Sequence, residues 1–189
     1  MRIIAGQAKG RRLLAPPGLH TRPTATRVRE ALFSVILPLV AGAKVLDAFA
    51  GSGALGLEAL SRGALTAHLV ENNAAALRVL RRNVQNCCLA GAQVFPGDLK
   101  RFLRQNNQRY DIIFMDPPYH KAILPQALAA VLSGKALAKD GLIVVETAAK
   151  EALDPPTGLV TVKQSVYGDT ALYYLQTSDQ LTEESKGDY

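Results

Sequence analysis

The sequence predicts an α/β fold: a doubly wound, mostly parallel seven-stranded sheet with a small N-terminal β-hairpin/helix extension. Three observations predict it. From Lys44 onward, near-continuous apolar runs alternate with stretches of helical period. A glycine-rich turn, "GSGALG" over residues 51–56, follows the first apolar run. The chain then closes on two alternating runs around Gly168-Asp169, the pattern of an antiparallel hairpin.

The elements follow in order. Residues 2–5 and 11–15 read as two short strands around the turn-prone "GQAKG". Pro16-Pro17-Gly18 breaks the chain. A helix comes next, with Val28, Leu32, Val35, Ile36 and Leu39 at helical spacing and Thr24 or Thr26 as its N-cap. "KVLDAFA" is a buried strand, "ALGLEALSRG" a helix ending at Gly63, and "TAHLVE" a strand. "AAALRVLRRNVQNCCLAG" is a helix ending at Gly91, "AQVFPGD" a short strand and "LKRFLRQ" a short helix. "YDIIFMD" is a strand, "AILPQALAAVLSG" mostly helix, and "GLIVVETA" a strand before the hairpin. Residues 1–42 are expected to form an extension packed on the core, 43–176 the main domain and 177–189 a disordered tail.

Composition bounds the function. The 189 residues are 48% hydrophobic and 20% charged, which suits one globular domain with a real core. No apolar run approaches the roughly 20 residues of a membrane span. The N-terminus lacks the pattern of a signal peptide, so a cytoplasmic location is expected. The only cysteines, Cys87 and Cys88, are adjacent. They offer neither a plausible bridge nor a metal-ligand spacing, and no metal is expected.

The net charge of +6 is unevenly spread. Residues 1–30 hold Arg2, Lys9, Arg11, Arg12, Arg22, Arg27 and Arg29 against Glu30 alone. A basic segment of this kind suits a polyanion. Arg22, Arg27 and Arg29 lie at the opening of the first helix, where guanidinium groups can hold phosphates.

The glycine loop carries the first chemical signal. Gly51, Gly53 and Gly56 fit a dinucleotide fingerprint. Asp47, at the end of the preceding strand, argues against a pyrophosphate, because two anions in a partly dry cleft repel. A ligand with a cationic amine or sulfonium suits it better. S-adenosylmethionine has both and no phosphate. Glu71, twenty residues after Gly51, ends the second strand, where an acid accepts ribose hydroxyls. Asp98 ends the third strand and can accept from an adenine amine. Three acids at successive strand ends face the rim where ligands bind in open α/β sheets.

The second signal is Asp116-Pro117-Pro118-Tyr119. Two prolines end the fourth strand because neither has an N–H for the ladder. Asp116 can accept one N–H of an exocyclic amine and the Pro117 carbonyl, fixed by the next proline, the other. Those bonds aim the nitrogen lone pair, so positioning and electrostatics carry the catalysis. Tyr119 offers a face for an extruded base.

Together "LDAFAGSGALGLEAL" and "MDPPY" resemble the class I S-adenosylmethionine-dependent methyltransferases, Rossmann-like enzymes acting on exocyclic amines. "MRIIAGQAKGRRL" and "RPTATRVREALFSVI" narrow the resemblance to the RsmD family of 16S rRNA guanine-N2 methyltransferases, over the chain to about Gln176. The resemblance implies a target at guanine 966 of 16S rRNA in an assembling small ribosomal subunit. It implies catalysis by Asp116, Pro117, Pro118 and Tyr119. The candidate cofactor set is Asp47, Phe49, Gly51, Ser52, Gly53, Glu71, Asn72, Asp98 and Leu99. The candidate RNA set is Arg11, Arg12, Arg22, Arg27 and Arg29. The family often has Asp where Thr26 stands here, and no role is carried over there. His120 and Lys121 have no assigned role. A monomer is expected.

Three rivals frame the tests. A DNA adenine-N6 methyltransferase shares the tetrapeptide but usually needs an extra target-reading region. An NAD-dependent or non-catalytic Rossmann protein shares the glycine loop. A basic RNA-binding module without chemistry shares only the arginines.

Overall fold

A computed structural model describes residues 1–16, 23–117 and 123–179. Its first regular element is α1 (Pro23–Val40), which starts on a proline, a residue suited to the first helical turn because its missing N–H has no partner there anyway. Then come β1 (Lys44–Asp47), α2 (Ala54–Ser61), β2 (Thr66–Glu71), α3 (Ala74–Cys87), β3 (Ala92–Pro96), α4 (Leu99–Gln105) and β4 (Tyr110–Met115). The chain continues through α5 (Ile123–Ser133), β5 (Leu137–Ala148), β6 (Leu159–Tyr167) and β7 (Thr170–Thr177).

The strands form one seven-stranded sheet in the order β3-β2-β1-β4-β5-β7-β6. The pairs β1–β2, β2–β3, β1–β4 and β4–β5 are parallel, while β7 is antiparallel to both β5 and β6. The expected doubly wound sheet with a terminal hairpin is therefore present. Strand order reverses between β1 and β4, which opens a crevice at their C-terminal ends.

Strand residues alternate between two cores. Val45, Ile112, Phe114, Val144 and Tyr174 face the side covered by α1, α2 and α3. Leu46, Ile113, Met115, Val145 and Tyr173 face α4 and α5. Phe33 of α1 packs on Phe114 with ring centroids 5.8 Å apart, and both are fully buried. Each such side chain contributes roughly 1.5–3 kcal/mol by leaving water.

The N-terminal segment differs from the expected pair of strands. The two arms pair as a minimal antiparallel hairpin through an isolated bridge of Arg2 with Arg12. The Ile3 amide donates to the Arg11 carbonyl at 2.9 Å and the Leu13 amide to the Met1 carbonyl at 3.0 Å, without extending into strands. The reason lies in Glu58, fully buried on α2. Its carboxylate accepts the amides of Ile4 at 2.8 Å and Ala5 at 3.0 Å, which removes those donors from any ladder. Ser61 accepts the Ala8 amide at 2.9 Å. The segment is thus clasped to α2, and Ile3, Ala8 and Leu13 join the core.

Three boundaries also shift. α3 stops at Cys87 because Cys88 adopts a left-handed conformation (φ 50°) and caps it before Gly91. β5 begins earlier than expected, with a register break opposite Tyr110 and Ile112. β7 runs to Thr177, the residue placed at the start of the tail. Residues 180–189 lie outside the described residues. No helix among the described residues is long and apolar enough to cross a membrane.

Candidate active site

Four acidic side chains gather at the C-terminal ends of parallel strands. Asp47 ends β1 and Glu71 ends β2; Asp116 follows β4, and Glu146 lies near the end of β5. Parity puts them on one face, since each lies two residues past a side chain of the same core: Val45, Leu69, Phe114 and Val144.

The glycine loop bridges β1 and α2. Gly51 (φ 53°) and Gly53 (φ 80°) use the left-handed region that other residues enter at a cost. Gly56 has a different task. A Cβ there would collide with Leu69 of β2, so its hydrogen lets α2 lie close on the sheet.

Asp47 lies beneath this loop and is only 2% exposed. Its Oδ2 accepts the Gly56 amide at 3.0 Å. Burial pushes its carboxyl up to about 7, opposed by bonds from the Gly56 and Phe49 amides and reinforced by the charges of Asp116 and Glu71. It braces the loop from beneath. Ser52 and Gly53 are likewise buried.

Glu71 holds the loop from the other side. Oε2 accepts the Gly51 amide at 2.8 Å and Oε1 the Asn73 amide at 2.7 Å. Each oxygen keeps a lone pair for a ligand hydroxyl. Asp98 caps α4 through Oδ1, which accepts the Arg101 amide at 2.8 Å. Phe49, Gly51, Glu71, Asn72, Asp98 and Leu99 together line a cavity of about 1380 Å³ that continues between α4 and α5. Six of the nine predicted cofactor residues thus line one cleft, and Asp47, Ser52 and Gly53 support it from below.

Asp116 stands at the crevice between β1 and β4. Phe114 pairs with Asp47, and the Phe114 carbonyl accepts the Ala48 amide at 3.0 Å. Solvent meets one side of Asp116, while protein packed around the rest pushes its carboxyl up to about 6. The water it meets moderates that push. Glu146, half-buried on the neighbouring strand, is pushed up to about 8 by burial and by the Asp116 charge. Sequence reasoning missed Glu146, although "LIVVE" ends on an acid just as "HLVE" and "FMD" do. Pro118, Tyr119, His120 and Lys121 lie outside the described residues.

The arginines divide. Arg11, Arg12 and Arg27 are exposed, and Arg11 donates to the Asn86 carbonyl at 3.0 Å. Arg29 is not available to RNA: it is 5% exposed and its Nη2 donates to the Arg2 carbonyl at 2.6 Å. Its Nε lies 3.9 Å from Glu58. The guanidinium is committed inward as a strut for the N-terminal segment. Arg22 lies outside the described residues.

Similarity to known proteins decides the family. The family model described as "Conserved hypothetical protein 95" matches residues 1–176. Ribosomal RNA small subunit methyltransferase D of Escherichia coli K12 is 37% identical over 181 residues, covering 95% of this chain and 91% of that protein. This chain belongs to the RsmD family. The enzyme of that name from Haemophilus influenzae is 36% identical over 172 residues, covering 89% of each chain. A solved structure of yhhF from Escherichia coli superposes with a TM-score of 0.84 at 35% identity, covering 94% of this chain and 97% of that one. RsmD membership makes the chain a methyltransferase.

The chemistry of the cleft suits S-adenosylmethionine, the cofactor expected from the sequence. Its loop end carries Glu71 and Asp98, with Asp47 beneath, and the acids suit a sulfonium, an amine and ribose hydroxyls. Val70, Leu99, Leu103 and Ala127 supply apolar walls for a purine ring.

Proposed function

We propose that this RsmD-family enzyme methylates the exocyclic N2 amine of a guanine in 16S rRNA. Family resemblance points to guanine 966 in an assembling small-subunit particle, with the enzyme acting as a cytoplasmic monomer. The observation that carries the reading is the placement of Asp116-Pro117 at the end of β4, beside the glycine loop.

When bound, S-adenosylmethionine supplies an electrophilic methyl group on a sulfonium. The protein's task is orientation. Asp116 and the Pro117 carbonyl accept the two N–H bonds of the amine, which turns its lone pair toward the methyl. As the nitrogen forms its new bond it becomes cationic and sheds a proton. Asp116, with its carboxyl near 6, is mostly ionised at neutral pH and is basic enough to accept that proton. Tyr119 stacks on the base. Exposed Arg11, Arg12 and Arg27, with Arg22, hold backbone phosphates and give affinity that falls with salt.

The test offers the enzyme small-subunit particles, naked 16S rRNA and duplex DNA, followed by mass mapping of the modified nucleoside. N2-methylguanosine in small-subunit rRNA is expected. N6-methyladenine formed in DNA alone would overturn the proposal.

A further inference from the structure

We propose that Glu146 selects guanine by accepting the ring N1–H that lies beside the amine held by Asp116. This rests on the guanine-N2 reading above and names the residue that enforces it.

Register places the two carboxylates together. Ile113 pairs with Ile143, Phe114 with Val144 and Met115 with Val145. One step further, Asp116 comes beside Glu146, on strands about 4.8 Å apart. Both project to the face of Phe114 and Val144. On the other side of β5, Glu146 pairs with Leu172 of β7, which brings no charge or donor. The Glu146 side chain makes no hydrogen bond or ion pair with another described residue, and among those residues Asp116 is the charged group that acts on it. A half-buried carboxylate to which no described residue donates gains from a ligand that brings a donor.

The chemistry of the base matches. Guanine presents N1–H and the N2 amine side by side, a continuous row of donors. Two neighbouring carboxylates read that row. Adenine presents a bare N1 acceptor beside its amine, and above about pH 8, where Glu146 is ionised without help from the base, the carboxylate repels it. Burial and the Asp116 charge raise the Glu146 carboxyl to about 8. Donation from N1–H favours the ionised form, so base binding drives Glu146 to release its proton.

The test compares kcat/KM at about pH 8.5, where Glu146 is largely ionised, on rRNA carrying guanosine or 2-aminopurine at the target position. 2-Aminopurine keeps the N2 amine but has a bare N1. The wild type is expected to favour guanosine by on the order of a hundredfold, since a site built to accept an N–H rejects an analogue without it. Glu146→Gln presents an amide N–H to the bare N1 and is expected to cut that preference at least roughly tenfold. Titration with S-adenosylmethionine verifies that the variant folds and binds cofactor normally. An unchanged preference in a cofactor-binding Glu146→Gln enzyme would overturn the proposal. So would a wild type with no preference, a result that needs no variant. A product methylated on adenine N6 would show instead that the guanine-N2 reading had failed.

Discussion

Asn83, fully buried on α3, donates from Nδ2 to the carbonyl of Ser52 in the glycine loop at 2.8 Å. The same amide group donates to the Leu14 carbonyl at 2.9 Å and accepts the Leu14 N–H at 2.8 Å. One side chain thus fastens the end of the N-terminal segment to the loop that borders the cleft. The Leu14 N–H needs an acceptor, which fixes the orientation of the amide.

Asn83→Ala is therefore expected to act on both regions. It strands the Leu14 amide and two carbonyls, at about 1–3 kcal/mol for each group left without a partner or water. Urea denaturation should show the lost stability. Titration with S-adenosylmethionine should show weaker binding, because Ser52 loses its anchor. Normal cofactor affinity in the destabilised variant would separate the two regions and refute the coupling.

Glu58 is the second clasp. Besides the Ile4 and Ala5 amides it accepts Arg62 Nε at 2.8 Å, and Arg29 lies 3.9 Å away. Glu58→Ala removes the counter-charge of two largely buried arginines and should cost about 3–5 kcal/mol. Hydrogen exchange at the Ile4 and Ala5 amides should rise well before global unfolding. Retained protection there would place the clasp elsewhere.

Much of this was legible in the sequence, for physical reasons. A parallel strand buried on both faces reads as an unbroken apolar run, so β1, β2, β4 and the centre of β5 stood out. Strand-ending acids marked the rim. Arg29 was misplaced because charge was weighed above position. It precedes Leu32 by three residues and Phe33 by four, so it shares their buried face, whereas Arg27 does not. The clasps at Glu58 and Asn83 were illegible, because a polar residue amid helical apolar spacing does not announce its distant backbone partners.

Stability should fall as pH rises from about 4 to 8. An unfolded carboxyl titrates near 4. Asp47 is raised to about 7 in the fold. Below both values the two states bind the proton equally. Between them the unfolded chain ionises first and gains, so folding loses stability until the folded carboxyl also ionises. At about 1.4 kcal/mol per pH unit, Asp47 alone costs on the order of 4 kcal/mol above that range. Asp116 and Glu146 act in the same direction. Thermal melts across this range should show the decline, and Asp47→Asn should flatten it. A melting temperature that climbs steadily toward pH 8 in both proteins would contradict the burial of this charge.

Asp116→Ala separates chemistry from binding. The proposed cofactor cleft is lined by Glu71, Asp98 and loop residues and not by Asp116, so affinity for S-adenosylmethionine should hold within a few fold. Turnover should drop by roughly a hundredfold or more, since both the amine's orienting acceptor and the proton acceptor are lost. Single-turnover assays at saturating cofactor check this. Preserved turnover would point to a different base and a different orienting acceptor.

Arg27 and Arg29 are two residues apart on α1 and should fail in opposite ways. Arg27 is exposed and Arg29 is 5% exposed. Arg27→Ala removes a surface charge with no described partner in the fold, so stability should change by less than about 0.5 kcal/mol. If Arg27 holds a phosphate, rRNA affinity should fall uniformly across sequences. The slope of log affinity against log salt should also shrink by about 1. Arg29→Ala leaves the Arg2 carbonyl without its 2.6 Å donor and Glu58 with one cation fewer. It should cost about 2–4 kcal/mol of stability. In the fraction that stays folded, the salt slope should match wild type, because a guanidinium turned into the core releases no counterions from RNA. Denaturant melts paired with salt-dependent binding resolve the two. A reduced salt slope in a stably folded Arg29→Ala protein would show that this side chain turns outward to meet the nucleic acid.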